Sequence, residues 1–129
     1  MSRLESFIRR LTAQRDILDQ VCAEVAKIEG PILELGLGNG RTFHHLRGEI
    51  RETASRFIGI EAALVHADIG TGYEDRDAVT STWLPELTAR LLRVGGIAVS
   101  GTPLDHPQLQ SLPLPPSVPA DRYFVCRRV

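Results

Sequence analysis

The sequence predicts an α/β protein in which helices flank a mostly parallel sheet. The first observation is a glycine-rich turn, Gly36–Gly40, that follows a short apolar segment. The second is that later apolar segments alternate with stretches of helical periodicity, which is typical of crossover connections between parallel strands. The third is a length of 129 residues, which is typical of one domain. We therefore predict a single domain over residues 1–129 that begins with a helical segment over 1–29.

The first segment has the pattern of a long amphipathic helix. Ser2 and Glu5 have the spacing of a capping box, which predicts that the helix begins at Ser2. Apolar residues recur at helical spacing as far as Ile28, and Gly30 and Pro31 end the pattern. The apolar stripe needs a partner, either the protein's own sheet or a second subunit. This helix is therefore the candidate contact of a homo-oligomer.

Predicted strands and helices alternate after this point. The first strand is an apolar run and is expected to be buried. The last strand follows a proline-rich connection over 112–119 rather than a helix, so it is expected to run antiparallel at the end of the sheet. The predicted helix over 75–93 contains Pro85, which is expected to kink or divide it, and Gly95-Gly96 is expected to end this helix. The predicted strands are 31–35, 62–67, 97–100 and 122–127, and the predicted helices are 41–47, 51–57 and 75–93.

The glycine-rich turn lies at the carboxyl end of the first predicted strand, where open α/β sheets bind ligands. Glycine lets a ligand approach the main chain closely. A phosphate-binding P-loop is set aside because no Lys-Ser/Thr pair follows the glycines. The dinucleotide fingerprint G-x-G-x-x-G/A is disfavoured because Arg41 occupies its third position, which makes an NAD(P)-dependent oxidoreductase the less favoured alternative. A nucleoside ligand without a pyrophosphate remains.

A carboxylate stands two residues before the first glycine. Glu34 lies on an otherwise apolar strand, where burying a charge without a partner is costly. A ligand ammonium or nearby backbone N–H groups would satisfy this carboxylate, whereas an anionic pyrophosphate would be a poor neighbour. The residue therefore favours a ligand with a cationic amine.

The run Glu34-Leu35-Gly36-Leu37-Gly38-Asn39-Gly40 resembles the first motif of class I S-adenosylmethionine-dependent methyltransferases, (D/E)-x-G-x-G-x-G. Its extension through Arg41-Thr42-Phe43 and His44-His45-Leu46-Arg47 is similar to one compact family of that class. The strand that ends at Asp68 and the stretch Pro113–Pro116 are similar to that family as well. The resemblance implies a Rossmann-like fold, S-adenosyl-L-methionine as the cofactor, and methyl transfer as the activity.

The resemblance also implies which residues bind the cofactor. Glu34 would hold the cofactor's amino group, directly or through water, and Asp68 would face the same crevice. Gly36, Gly38 and Gly40 would line the methionine portion. The full set of expected cofactor-binding residues is Glu34, Gly36, Leu37, Gly38, Asn39, Gly40, Thr42 and Asp68.

No catalytic residue is assigned from the sequence. The sulfonium of the cofactor is already activated, so the protein mainly needs to align donor and acceptor. His66 and Asp68 share a strand face at i, i+2 and are candidates for an acid/base pair. The alternative for His66 is a packed or solvated histidine.

In this chain, one βαβ unit that the class contains is expected to be reduced or incompletely represented. In the class, the second strand ends in an acidic residue that binds the ribose hydroxyls, about 20 residues after the glycines. Here that region reads Glu49-Ile50-Arg51-Glu52-Thr53, with no apolar strand before it. A stretch of chain absent near Gly48-Glu49 would account for this. A non-catalytic cofactor-binding or assembly module with a degenerate fold is therefore the alternative to an enzyme.

Composition limits the expected partners. Lysine plus arginine number 15 and aspartate plus glutamate 16, for a net charge of -1, so nucleic acid is not expected as an electrostatic partner. A small molecule is the expected methyl acceptor. No apolar run approaches the roughly 20 residues that cross a bilayer, so no membrane is expected as a partner.

The cysteines and histidines predict no metal site. Cys22 and Cys126 lie far apart, and the adjacent His44 and His45 point in different directions on a predicted helix. The two cysteines are expected to be core residues in a reducing compartment. Charged residues from Arg3 onward do not fit a signal peptide, so the protein is expected to be cytoplasmic.

Overall fold

The computed structural model of the chain describes residues 2–36, 50–69 and 74–129. The predicted helix over 41–47 and the junction Gly48-Glu49 lie outside these residues. The elements in chain order are α1 (Arg3–Val25), β1 (Ile32–Leu35), α2 (Ile50–Ser55), β2 (Ala62–Ala67), α3 (Glu74–Leu91), β3 (Leu92–Ser100), β4 (Leu109–Ser111) and β5 (Phe124–Arg128).

The strands form a five-stranded sheet in the order β1-β2-β3-β5-β4. β1, β2 and β3 are parallel, and β5 runs antiparallel to both β3 and β4. The predicted mostly parallel sheet is therefore confirmed, and so is the antiparallel direction of the last strand. The prediction that this last strand, β5, lies at the end of the sheet is wrong, because the short strand β4 pairs with the outer edge of β5.

β1 is a terminal strand among the residues that the structure describes. Ile32 is 62% exposed, and only Leu35 of its four residues is buried. The prediction of a buried strand is wrong because, within the described sheet, β1 has β2 alone as its neighbour. The stretch in which one βαβ unit is predicted to be reduced, near Gly48-Glu49, lies outside the described residues.

The N-terminal helix begins as its sequence predicts. The Ser2 hydroxyl accepts from the Glu5 backbone N–H at 3.1 Å, and the Glu5 carboxylate accepts from the Ser2 N–H at 2.6 Å, which completes the capping box. The second half of α1 packs on the protein's own sheet through Ala13, Ile17, Val21 and Val25. The first half leaves apolar side chains exposed, namely Leu4, Phe7, Ile8 and Leu11.

The passage from α3 to β3 differs from the prediction. Pro85 lies within α3, which continues without division to Leu91. β3 starts at once with Leu92, so the pair Gly95-Gly96 lies inside a strand and does not end the helix. Leu91 and Leu92 are both buried, so the chain passes from helix to sheet without leaving the core.

The two glycines shape an irregularity in β3. The pairing with β2 shifts register between Ala62 and Leu64, and Gly95 has a positive φ of 88°. A Cβ on Gly96 would meet the Ala62 carbonyl oxygen at 2.8 Å. Glycine at 96 therefore permits the close approach of the two strands at this bulge.

The second face of the sheet packs against α3. Leu84, Leu87 and Leu91 belong to this core, and Trp83 packs partly buried against it. Cys126 is buried here, but Cys22 is exposed, so the core prediction for Cys22 is wrong. It lies beside the buried Val21 on the side of α1 that faces away from the sheet.

Among the described helices, none is long and apolar enough to cross a membrane.

Candidate functional site

The candidate site lies where the parallel strands β1, β2 and β3 end. The Asp68 N–H donates to the Leu35 carbonyl at 3.1 Å, and the Gly101 N–H donates to the Ala67 carbonyl at 3.0 Å. These bonds continue the pairing of β1 with β2, and of β2 with β3, one residue beyond the strand ends. The three strand ends are thereby held at one edge, which is the edge where sheets of this type bind ligands.

Gly36 turns the chain directly against the end of β2. Its φ is +84°, a conformation that favours glycine. A Cβ at this position would lie 2.7 Å from the Asp68 carbonyl oxygen and 2.4 Å from the Ile69 Cγ2 atom. The structure thus brings Gly36 beside Asp68, two of the residues that the sequence assigns to the cofactor. The other turn residues of that assignment, Leu37, Gly38, Asn39, Gly40 and Thr42, lie outside the described residues.

Glu34 has a specific partner on the neighbouring strand. It stands opposite His66 in the parallel register, and its Oε1 atom lies 2.7 Å from the His66 Nδ1 atom. The His66 side chain is 5% exposed, whereas the Glu34 side chain is 35% exposed. The carboxylate is therefore anchored on its inner side and still open to a ligand on its outer side.

His66 makes a second hydrogen bond behind Glu34. Its Nε2 atom lies 2.7 Å from the hydroxyl of Tyr123, which is fully buried. Burial raises the pKa of Tyr123 well above its ordinary value, and the negative charges of Asp68 and Glu34 raise it further. The phenol therefore keeps its proton in the folded protein.

Asp68 faces α1 instead of His66. The Gln14 amide donates to its Oδ2 atom at 2.7 Å, and the Arg10 Nε atom lies 3.9 Å from its Oδ1 atom. The hypothesis of a His66–Asp68 acid/base pair is therefore not supported, because each side chain has other partners. His66 lies on the strand and meets Glu34 by register, whereas Asp68 follows the strand and turns towards the helix. The alternative, a packed histidine, describes His66.

Two residues of this cluster were missed by the sequence analysis. Gln14 lies at the point where the apolar pattern of α1 is weakest, and that interruption was the available signal. Tyr123 precedes β5 and carries a polar group into an apolar surrounding, but no local pattern connects it to His66. Its hydroxyl needs a partner once it is buried, which is the general reason to look for one.

The arrangement suits a ligand with a cationic amine. Glu34 and Asp68 supply two carboxylates at one edge of the sheet, and both side chains keep some exposure, at 35% and 21%. The tight turn at Gly36 brings the main chain to the same edge of the sheet. A carboxylate that is held by hydrogen bonds and open to the outside is prepared to accept charge-assisted hydrogen bonds from an ammonium group.

Comparisons with known proteins point to S-adenosyl-L-methionine as the cofactor. A family model described as S-adenosyl-L-methionine methyltransferase matches residues 1–53 and 46–128. The two matched parts overlap at 46–53, in the region where the sequence predicts a reduced βαβ unit. A crystal structure of an S-adenosyl-L-methionine methyl transferase from Silicibacter pomeroyi DSS-3 is 36% identical, with a TM-score of 0.81 over 99% of each chain. No curated protein matches the chain.

Proposed function

The chain belongs to the S-adenosyl-L-methionine methyltransferase family, and from this premise we propose where its cofactor binds and what kind of molecule it methylates. Its reaction is the transfer of a methyl group from S-adenosyl-L-methionine to an acceptor. When bound, the cofactor supplies a methyl group on an activated sulfonium, so the protein's task is to align donor and acceptor.

The cofactor's amino acid portion binds at the carboxyl ends of β1 and β2. Glu34 accepts hydrogen bonds from the ammonium group, and Asp68 forms the adjacent wall of the crevice. The observation that carries this assignment is the close contact of the Gly36 turn with Asp68, beside a Glu34 carboxylate that is anchored and still part-exposed. Gly36, Gly38 and Gly40 line the methionine portion, and Leu37, Asn39 and Thr42 complete the predicted set of cofactor-binding residues.

The described residues fit such a ligand in their chemistry. Position 36 has no room for a side chain, because Asp68 and Ile69 fill that space, so glycine there lets the turn pack directly beside Asp68. Among the described residues, the ion-pair partner of Glu34 is His66 and not a lysine or an arginine. The Glu34 carboxylate therefore keeps negative charge for a ligand. Gln14 and Arg10 orient Asp68 from α1. These features favour an amine and disfavour a pyrophosphate.

The methyl acceptor is a small molecule. This proposal is supported by the net charge of -1, which gives no basic excess for nucleic acid. The test is to supply S-adenosyl-L-methionine together with a low-molecular-weight cell fraction, nucleic acid or a protein fraction, and to measure S-adenosylhomocysteine formed by mass spectrometry. Product with the small-molecule fraction supports the proposal, and product with a macromolecular fraction alone contradicts it.

A cofactor-binding or assembly module without turnover is the second candidate. It is supported by the family model, which matches the chain in two parts that overlap at 46–53, where the sequence shows no apolar strand to carry a ribose-binding acid. Cofactor binding without S-adenosylhomocysteine formation from any of the three fractions would favour this candidate. Formation of S-adenosylhomocysteine that requires an acceptor would exclude it.

Self-association through α1 is a further part of the proposal. Leu4, Phe7, Ile8 and Leu11 recur at helical spacing and are 43–66% exposed, which suits a second copy of the same helix. Ile8→Glu should convert a dimer into a monomer in analytical ultracentrifugation. An unchanged sedimentation coefficient would contradict the contact.

A cytoplasmic location is supported by the free thiols of Cys22 and Cys126, and cell fractionation tests it.

A further inference from the structure

Two consecutive side-chain contacts connect Tyr123, in the interior of the protein, with Glu34 on β1. The Tyr123 hydroxyl lies 2.7 Å from the His66 Nε2 atom. The other ring nitrogen of His66, Nδ1, lies 2.7 Å from the Glu34 Oε1 atom. The contacts therefore end at the acidic residue of the cofactor motif.

Two placements of hydrogen satisfy both contacts of the His66 ring. In the first, the Tyr123 hydroxyl donates to the His66 Nε2 atom, and a neutral His66 carries its hydrogen on Nδ1 and donates it to Glu34. In the second, an imidazolium donates to both neighbours. The two placements differ in the charge that they leave at Glu34.

A neutral His66 matters for the charge at the site. An imidazolium at 2.7 Å would neutralise the Glu34 carboxylate, whereas a neutral ring gives it a hydrogen bond and leaves its negative charge intact. We propose that Tyr123 and His66 are positioning residues that hold the Glu34 carboxylate, fully charged, in the orientation that binds the ammonium group of S-adenosyl-L-methionine. This inference rests on the proposed function of Glu34.

The position of Glu34 explains why it needs support. It lies on the terminal strand of the described sheet, and its side chain is 35% exposed. An unsupported glutamate there would sample many rotamers and lose that freedom on binding. His66 is 5% exposed and Tyr123 is fully buried, so the two supporting rings are themselves held by packing.

The test compares two ligands that differ in the amino acid portion. S-adenosylhomocysteine carries the ammonium group, and 5′-deoxy-5′-methylthioadenosine keeps the nucleoside but has no amino acid portion. Calorimetry should show that Tyr123→Phe weakens S-adenosylhomocysteine about fivefold to tenfold, the loss typical of one hydrogen bond, with little change for methylthioadenosine. Equal losses for both ligands, or no loss for either, would overturn the inference.

Two further variants separate positioning from packing. His66→Asn keeps an amide that can donate to Glu34, so it should retain more S-adenosylhomocysteine affinity than His66→Leu. Leu84→Ala opens the core on the other face of the sheet, so it should lower the Tm and leave the ratio of the two affinities unchanged. A ratio that falls as much in Leu84→Ala as in Tyr123→Phe would assign the effect to stability alone.

The protonation state of His66 is open to direct observation in the unaltered protein. Two-bond ¹H–¹⁵N correlation spectra should show a neutral imidazole with hydrogen on Nδ1. An imidazolium, or hydrogen on Nε2, at neutral pH would contradict the inference without any substitution. Failure of the unaltered protein to bind S-adenosylhomocysteine would instead reject the proposed function itself.

Discussion

Glu34 and His66 stand opposite each other in the parallel register of β1 and β2, and 2.7 Å separates the Oε1 and Nδ1 atoms of their side chains. The pairing of the strands therefore gives the motif carboxylate its inner partner. Because the same carboxylate stays 35% exposed, the anchored acid can still meet a ligand.

Replacing Gly36 by alanine should destabilise the protein more than replacing Gly59. Both residues have positive φ values, +84° and +89°, so alanine at either position costs about 1–2 kcal/mol in backbone strain. Only at position 36 would the new Cβ meet backbone, 2.7 Å from the Asp68 carbonyl oxygen; at Gly59 nothing lies within 4 Å. Urea unfolding measures both variants. Equal losses of unfolding free energy would show that the turn does not contact the end of β2.

Truncation of Ile17 should reveal how strongly α1 is attached to the sheet. Ile17 has 0% exposure, so Ile17→Ala should lower the free energy of unfolding by about 2–5 kcal/mol through lost burial and a cavity. Ile8 lies on the same helix at 52% exposure, and Ile8→Ala in the monomer should stay within about 0.5 kcal/mol. Chemical denaturation checks both. Similar effects at the two positions would contradict the packing of α1.

Acid should weaken the first turn of α1. Hydrogen bonds from the Ser2 backbone, and from its hydroxyl, lower the pKa of Glu5 below its ordinary 4.5. Because the folded-state pKa is the lower one, this stabilisation is present above about pH 4.5 and is lost as the pH falls through the folded-state value. The Tm difference between the unaltered protein and Glu5→Gln should therefore shrink in acid. A difference that is constant with pH would argue against the capping box.

Alkali should destabilise the protein through Tyr123. Burial raises the pKa of its phenol well above the ordinary 10.0, so the unfolded chain loses this proton at a lower pH than the folded protein does. Stability contributed by the protonated phenol is complete below about pH 10 and falls as the pH rises beyond it. Urea midpoints measured below and above that pH should fall more for the unaltered protein than for Tyr123→Phe. Parallel declines would mean that Tyr123 titrates normally.

Local patterns predicted much of the fold. The capping box at Ser2 and Glu5 defined the start of α1, and the apolar run 62–67 matches β2 residue for residue. These features depend on neighbours within one turn or one strand, which a sequence displays directly. The exposure of β1 could not be predicted in the same way, because burial of a strand depends on which strands flank it.

The candidate site was predictable only in part. Glu34 and Asp68 were expected at one edge because both follow or end parallel strands, and the structure places them there. The partners of these residues, His66, Gln14 and Tyr123, come from distant parts of the chain. Strand register and helix packing bring them together, and neither is written in a local pattern.

Calorimetric titration with S-adenosylhomocysteine is the decisive measurement for the role of Glu34. We expect one site per chain, and Glu34→Gln should bind at least about tenfold more weakly because a neutral amide replaces a charged acceptor for the ammonium group. Glu29→Gln, a matched change at an exposed glutamate, should bind like the unaltered protein. Absence of binding to the unaltered protein, or equal affinity in Glu34→Gln, would contradict the claim that this carboxylate holds the cofactor.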